Sequence, residues 1–173
     1  MSLPPAYPTA QPTSTLNAMS QTPQPPRQHP FAALDWSQAH RAEIQMRYGD
    51  TDAMGHLNNA AYVSYLETSR VQMLREMGTP LEDLLTVVAR IEVDYVSEIK
   101  LGQQVIVETL VEKVGRSSYT FVVRMLADGV PSAYARTVQV NIGRDKRPAA
   151  LSDDRRAWME RYSVPPVPAT SPA

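Results

Sequence analysis

The chain has 173 residues, 43% of them hydrophobic and 20% charged, a balance that suits one globular domain and excludes both wholesale disorder and a membrane-spanning bundle. Its formal net charge is −1 with Lys and Arg dispersed, which leaves no basic footprint for wrapping nucleic acid. There is no cysteine, so disulfides, thiolate catalysis and Cys-based zinc sites are excluded, and the three histidines, His29, His40 and His56, show no ligand spacing.

Residues 1–35 are rich in Pro with Ser, Thr and Gln, a composition that cannot bury enough apolar surface to fold alone. This stretch has neither the basic start nor the continuous apolar centre of a secretory signal, so it is expected to be a disordered extension of a cytoplasmic protein. At its boundary with the domain, Phe31 to Trp36 is expected to dock on the folded part. The domain itself is expected over 36–163, with 164–173 a disordered tail opened by Val164-Pro165-Pro166.

From His40 to Tyr48, Ala42, Ile44, Met46 and Tyr48 alternate with charged and polar neighbours, the period of a half-buried strand. The stretch Tyr48-Gly49-Asp50-Thr51-Asp52-Ala53-Met54-Gly55-His56-Leu57-Asn58-Asn59 then leads into a run without Gly or Pro up to Gly78. That run reads as one helix from Asn59 to Met77, with Asn58 as N-cap and Gly78-Thr79-Pro80 as the stop. Tyr62, Leu66, Ser69, Met73 and Met77 form its stripe, widened by Ala60, Val63 and Leu74, which predicts a mostly buried helix. Glu67 and Arg70, three apart, can pair on its flank.

Four more strands follow. Val87 to Tyr95, Val105 to Val111, Tyr119 to Met125 and Tyr134 to Ile142 each alternate, the inward set of the last being Tyr134, Arg136, Val138, Val140 and Ile142. Asp128-Gly129 marks a hairpin, and turns at Leu101-Gly102 and Gly115-Arg116 suggest an antiparallel meander. Asp153 to Tyr162 reads as a short terminal helix. Five strands with one long helix after the first predict an α+β fold whose curved sheet wraps the helix.

The helix start is where chemistry concentrates. A helix N-terminus presents unpaired N–H groups and a positive dipole end, able to hold a developing oxyanion, and Asp52 supplies a carboxylate on the loop that feeds it. On spacing alone, turn chemistry and capping account for Asp, Gly and Asn here at least as well.

The run Tyr48-Gly49-Asp50-Thr51-Asp52, then Gly55-His56-Leu57-Asn58-Asn59, with Tyr62, Glu67 and Arg70, resembles the signature of the 4-hydroxybenzoyl-CoA thioesterase family of hotdog-fold acyl-CoA thioesterases. The resemblance is dense from Ile44 to Met77 and looser to Tyr162. It implies a hotdog fold and hydrolysis of a fatty or aromatic acyl-CoA to free acid and CoA. Asp52 would be the nucleophile or general base and the backbone N–H of Asn59 the oxyanion donor, with Gly55, His56 and Asn58 around them. A related hotdog branch carries its catalytic Glu at a comparable helix position, which gives Glu67 a second reading. Gly115-Arg116-Ser117-Ser118 resembles the family's phosphate-contacting turn, so Arg116, with Lys113, Ser117 and Tyr62, is expected to bind substrate. No metal and no cofactor beyond the CoA of the substrate is implied, and no membrane partner. A homodimer or homotetramer with the site between protomers is expected. The alternatives are a non-catalytic module that holds acyl-CoA or an acyl carrier, and a thioesterase acting on acyl carrier protein.

Overall fold

The computed structural model describes residues 28–78, 80 and 85–164. The strands are β1 (His40–Ile44), β2 (Thr86–Tyr95), β3 (Val105–Val114), β4 (Ser118–Ala127) and β5 (Val130–Asn141), with helices α1 (Asn59–Arg75) and α2 (Asp153–Glu160). They form one antiparallel sheet in the order β1-β3-β4-β5-β2. Only β3, β4 and β5 make a meander; the α1 crossover sends β1 and β2 to opposite edges, which corrects the simple strand succession expected from short turns. The α+β hotdog arrangement itself is borne out.

Period two is cleanest on the edge strand β1, where His40, Ala42 and Ile44 are buried and Arg41 and Glu43 exposed. Val105, Val107 and Val111 of β3 and Tyr119, Phe121 and Met125 of β4 are buried against α1, together with Ala42 and Ile44 of β1. The hairpin between β4 and β5 turns on Asp128 and Gly129, whose φ of 49° and 82° are the two left-handed steps that a two-residue turn needs. α1 buries Tyr62, Tyr65, Leu66, Ser69, Met73 and Leu74, while Val63 and Glu67 stay exposed. The helix is therefore covered on one side and open on the flank toward β2.

Three expectations fail for identifiable reasons. β1 ends at Ile44 because a 3-10 turn, Tyr48–Asp50, begins the loop, and Tyr48 is 82% exposed rather than inward. On β5 the inward set is inverted: Ala133, Ala135, Thr137 and Gln139 are buried toward α1, while Tyr134 belongs to a second cluster on the opposite face. On β2 a bulge between Val88 and Arg90 breaks the alternation, and Val87, Val88 and Ile91 are exposed along an edge that pairs, among the described residues, with β5 alone.

The opposite face of the sheet is covered by the segment before β1. Phe31 and Trp36 pack with Leu110, Val122 and Tyr134, so packing begins within the stretch expected to be disordered, while residues 1–27 and 165–173 lie outside the described residues. Beneath this cover Glu108, 1% exposed, receives hydrogen bonds from Arg41 at 2.6 Å and from Nε of Arg124 at 2.8 Å, its cross-strand neighbours on β1 and β4. Trp36 closes over the Arg124 guanidinium at 4.7 Å.

Candidate active site

The loop between β1 and α1 is built from its own hydrogen bonds. Asp50 accepts from the backbone N–H of Arg47 at 2.8 Å and from the Tyr65 hydroxyl at 2.7 Å, and its carbonyl accepts from the N–H of Asn58 at 2.8 Å. These contacts tie the loop's entry to the first turns of α1. The Tyr65 hydroxyl, followed by the Arg47 amide, holds the Asp50 carboxyl below the usual carboxylate range, while burial and then Asp50 itself push the Tyr65 phenol up.

Inside this frame residues 51–57 form a miniature hairpin. Thr51 bridges Leu57, the N–H of Asp52 donates to the His56 carbonyl at 2.8 Å, and the N–H of Gly55 closes the turn onto the Asp52 carbonyl at 3.1 Å. Gly55 sits at φ 80°, where a side chain would be strained. The turn folds two amides over the Asp52 side chain: Met54 and His56 donate to Oδ1 at 2.8 and 3.0 Å. The His56 amide, ahead of that of Met54, keeps the carboxyl below its ordinary range, so it is ionised at neutral pH.

The helix start follows directly. Asn58 caps α1, its Oδ1 accepting from the N–H of Ala60 at 2.9 Å, and Asn59 occupies the first helical position, where a helix offers its own N–H no acceptor. The Leu57 amide donates to Ile99 at 2.7 Å, and His56 places Nε2 3.2 Å from Glu98, which Lys100 also approaches at 2.7 Å. Tyr62, buried, donates to the Ser97 carbonyl at 3.5 Å and meets the Tyr95 ring edge-on at 5.0 Å. Asp52, Gly55, His56, Asn58 and Asn59 are thus brought together as expected, beside Asp50 of the same run, with Tyr65 and Glu98 as supports whose roles the pattern of residues did not assign.

A cavity of about 80 Å³ lies between α1 and the concave face of the sheet. Glu67 and Arg70, paired at 3.2 Å, line it together with Val88 and Ile91, while Phe121, Thr109, Thr137 and Gln139 line it from the sheet. Glu67 is therefore at a cavity, and Asp52 and Tyr62 are not among its lining residues. The polar lining from β5 was missed, although Ala133-x-Ala135-x-Thr137-x-Gln139 carries the period that would have found it.

The expected phosphate-binding residues lie elsewhere. Arg116 and Ser117 occupy the β3–β4 turn and Lys113 precedes it, the Arg116 and Ser117 carbonyls accepting from Leu151 and Asn141 at 2.8 Å each. Because Ile44 pairs with Val105 and the turn follows Val114, the length of β3, roughly 30 Å at strand rise, separates it from the loop of Asp52. One protomer does not bring them together. Among the described residues no group of three or more His, Asp or Glu side chains could hold a metal ion, and no helix is long and apolar enough to cross a membrane.

Comparison with known proteins decides the family. The model of the Thioesterase-like superfamily matches residues 46–167, from the end of β1 through α2. The chain belongs to that superfamily. Membership makes it a thioester hydrolase by class, and the resemblance drawn from Tyr48 to Arg70 is borne out at that level. A thioesterase from Thermus thermophilus, solved in complex with coenzyme A and Zn, is 34% identical with a TM-score of 0.66, over 71% of this chain and 92% of that one. The acyl-CoA thioesterase YbgC of Haemophilus influenzae is 28% identical over 122 residues, 66% of this chain and 89% of that protein. YneP of Bacillus subtilis is 29% identical over 77 residues, so the match spans little more than half, 56%, of its length.

Proposed function

We propose that the protein hydrolyses the thioester of an acyl-CoA, with Asp52 as its reactive carboxylate. The observation that carries this reading is the ionised Asp52, oriented by the Met54 and His56 amides in the loop that delivers the chain to the N-terminus of α1. As general base Asp52 takes a proton from water as the water oxygen attacks the acyl carbon; as nucleophile it attacks that carbon itself and water later hydrolyses the anhydride. In either case the N–H of Asn59 stabilises the oxygen as it gains charge, the C–S bond breaks, and CoA leaves as a thiol after taking a proton. The family membership and the CoA complex of the Thermus relative support CoA as the thiol carrier.

The assembly follows from the open edge. Two-fold pairing of β2 with a second copy reverses strand direction, so it would carry the partner copy's β3–β4 turn toward the end of the sheet where Asp52 lies. Arg116, Lys113 and Ser117 would then serve the neighbouring site in a dimer, or in a tetramer made of two such pairs. Size-exclusion chromatography with light scattering should give at least twice the chain mass. In such an assembly Arg116→Ala should raise KM several-fold with kcat little changed.

A second reading rests on the cavity. Glu67 lines it, so Glu67 is the competing carboxylate. Release of free thiol from a panel of acyl-CoAs tests hydrolysis against a module that only holds its ligand, and comparing acyl-CoA with acyl carrier protein thioesters identifies the carrier. Glu67→Gln should leave most turnover intact; its loss there, with retention in Asp52→Asn, would transfer the role to Glu67.

A further inference from the structure

The two amides on the Asp52 carboxylate are not equally secured. Met54 sits at the tip of the turn, 74% exposed, so its N–H is placed by the turn itself. His56 is placed from outside as well. It bridges Lys100 in antiparallel fashion, its neighbour Leu57 donates to the Ile99 carbonyl at 2.7 Å, and its ring sets Nε2 3.2 Å from Oε2 of Glu98. The segment it meets, between β2 and β3, is braced on the far side. Val96 and Ser97 both donate their N–H to the Ser132 carbonyl, at 2.9 and 3.1 Å, Ser97 Oγ reaches Ser132 Oγ at 3.2 Å, and Ile99 is fully buried in the core. Glu98 therefore projects from a fixed backbone, although half of its side chain is exposed. Lys100, ahead of His56, keeps its carboxyl below the ordinary carboxylate range, so Glu98 only accepts and the hydrogen it shares with Nε2 comes from the imidazole.

We propose that Glu98 is a positioning residue for the reactive carboxylate: by fixing the His56 ring it keeps the His56 N–H on Oδ1 of Asp52. The role rests on the reading of Asp52 given above. The path is short and mostly covalent. Glu98 holds Nε2, the ring is rigid, and the backbone of the same residue donates to Oδ1 at 3.0 Å and accepts from the Asp52 N–H at 2.8 Å. Two main-chain bonds to Asp52 and one side-chain bond to Glu98 thus meet on His56. Without the side-chain anchor the turn keeps its hairpin bonds but swings more freely about the Leu57–Ile99 tie, and the amide spends less time aligned with the carboxylate. Glu98 touches neither the substrate nor the acyl carbon; its effect passes through His56. Its size is bounded. Pairs this exposed couple by a factor of up to about five, so Glu98 tunes a site that the turn builds. Small misplacements of a reactive group carry rate penalties of that order.

Glu98→Ala and Glu98→Gln separate the anchor from the charge, since both remove the charge and only glutamine keeps an acceptor for Nε2. In the full-length protein, with butanoyl-CoA and benzoyl-CoA as substrates, Glu98→Ala should lower kcat roughly threefold with KM unchanged, and Glu98→Gln should restore most of the loss. Lys100→Gln, which takes away the partner of the other Glu98 oxygen, should stay within about twofold of wild type. The second readout needs no turnover. With carbon-13 in the aspartate carboxyls, the Asp52 signal is identified by its absence in Asp52→Asn. Asp52 should then titrate about half a pH unit higher in Glu98→Ala than in Glu98→Gln, because a looser His56 amide favours the carboxylate less. If neither the wild type nor any variant releases thiol while this difference persists, the hydrolytic reading fails and the positioning role stands. Identical titration of Asp52 in the two Glu98 variants overturns the proposal, as does, where thiol is released, an equal kcat in the two.

Discussion

The two faces of this sheet treat buried polarity in opposite ways. On the face under Phe31 and Trp36, Glu108 is satisfied from two sides by Arg41 and Arg124 and roofed by an aromatic ring. On the face under α1, Gln139 is equally buried; its amide nitrogen donates to Thr137, and its carbonyl oxygen has no partner among the described residues. Matched polar groups specify how the strands and the covering segment fit; an unmatched one is a cost that stability alone would remove. The difference leaves one face fixed by paired charges and the other with a residual polar mismatch in its packing.

Substitutions can break the comparison in order of expected effect. Asp52→Asn keeps shape and removes charge, and should lower kcat by about three orders of magnitude while acyl-CoA affinity stays near wild type, read by thiol release and calorimetry. In the wild type the acid limb of kcat/KM should fall below about pH 4, because the amides of His56 and Met54 hold the Asp52 carboxyl under its ordinary range. Glu108→Ala strands the partly buried Arg124 guanidinium, Arg41 being largely exposed, and should cost about 2 kcal/mol in urea denaturation with kcat unchanged.

Tyr65→Phe removes the hydroxyl that donates to Asp50 and should cost about 1 kcal/mol. Its pH signature has a definite sign. Asp50 has a depressed folded pKa, so its contribution is present above about pH 4 and lost as pH falls through the folded value. The variant should therefore lose less stability than wild type on acidification below that range. Gln139→Met should change stability least, within about 0.5 kcal/mol, because losing the bond to Thr137 is offset by removing the unpartnered Oε1. A loss comparable to that of Glu108→Ala would erase the distinction between the faces.

Much of this was legible from residues alone, and the failures share a cause. The Asn58 cap, the start of α1, the Asp128-Gly129 hairpin and the inward valines of β3 are local or singly determined, so composition and period suffice. Period two states that a strand has two faces but not which one meets the helix. Here both faces of β5 are covered, and Val138 and Val140 looked like core while Thr137 and Gln139 took the inner positions. The bulge at Val88/Arg90 and the distance from Arg116 to Asp52 are properties of pairing and topology, which no window of sequence contains. The Glu67–Arg70 pair was foreseen; the cavity beside it was not.

The free side of β2 has a consequence for the newly made polypeptide. Ten residues of backbone with valines at 87 and 88 and isoleucine at 91 are a template on which any extended segment could polymerise. Arg90, Glu92 and Asp94, interleaved with them, act as gatekeepers whose hydration disfavours indiscriminate stacking, and the adjacent irregularity kinks the ribbon away from flatness. Neutralising those three positions should turn this edge into a seed for fibrillar precipitate.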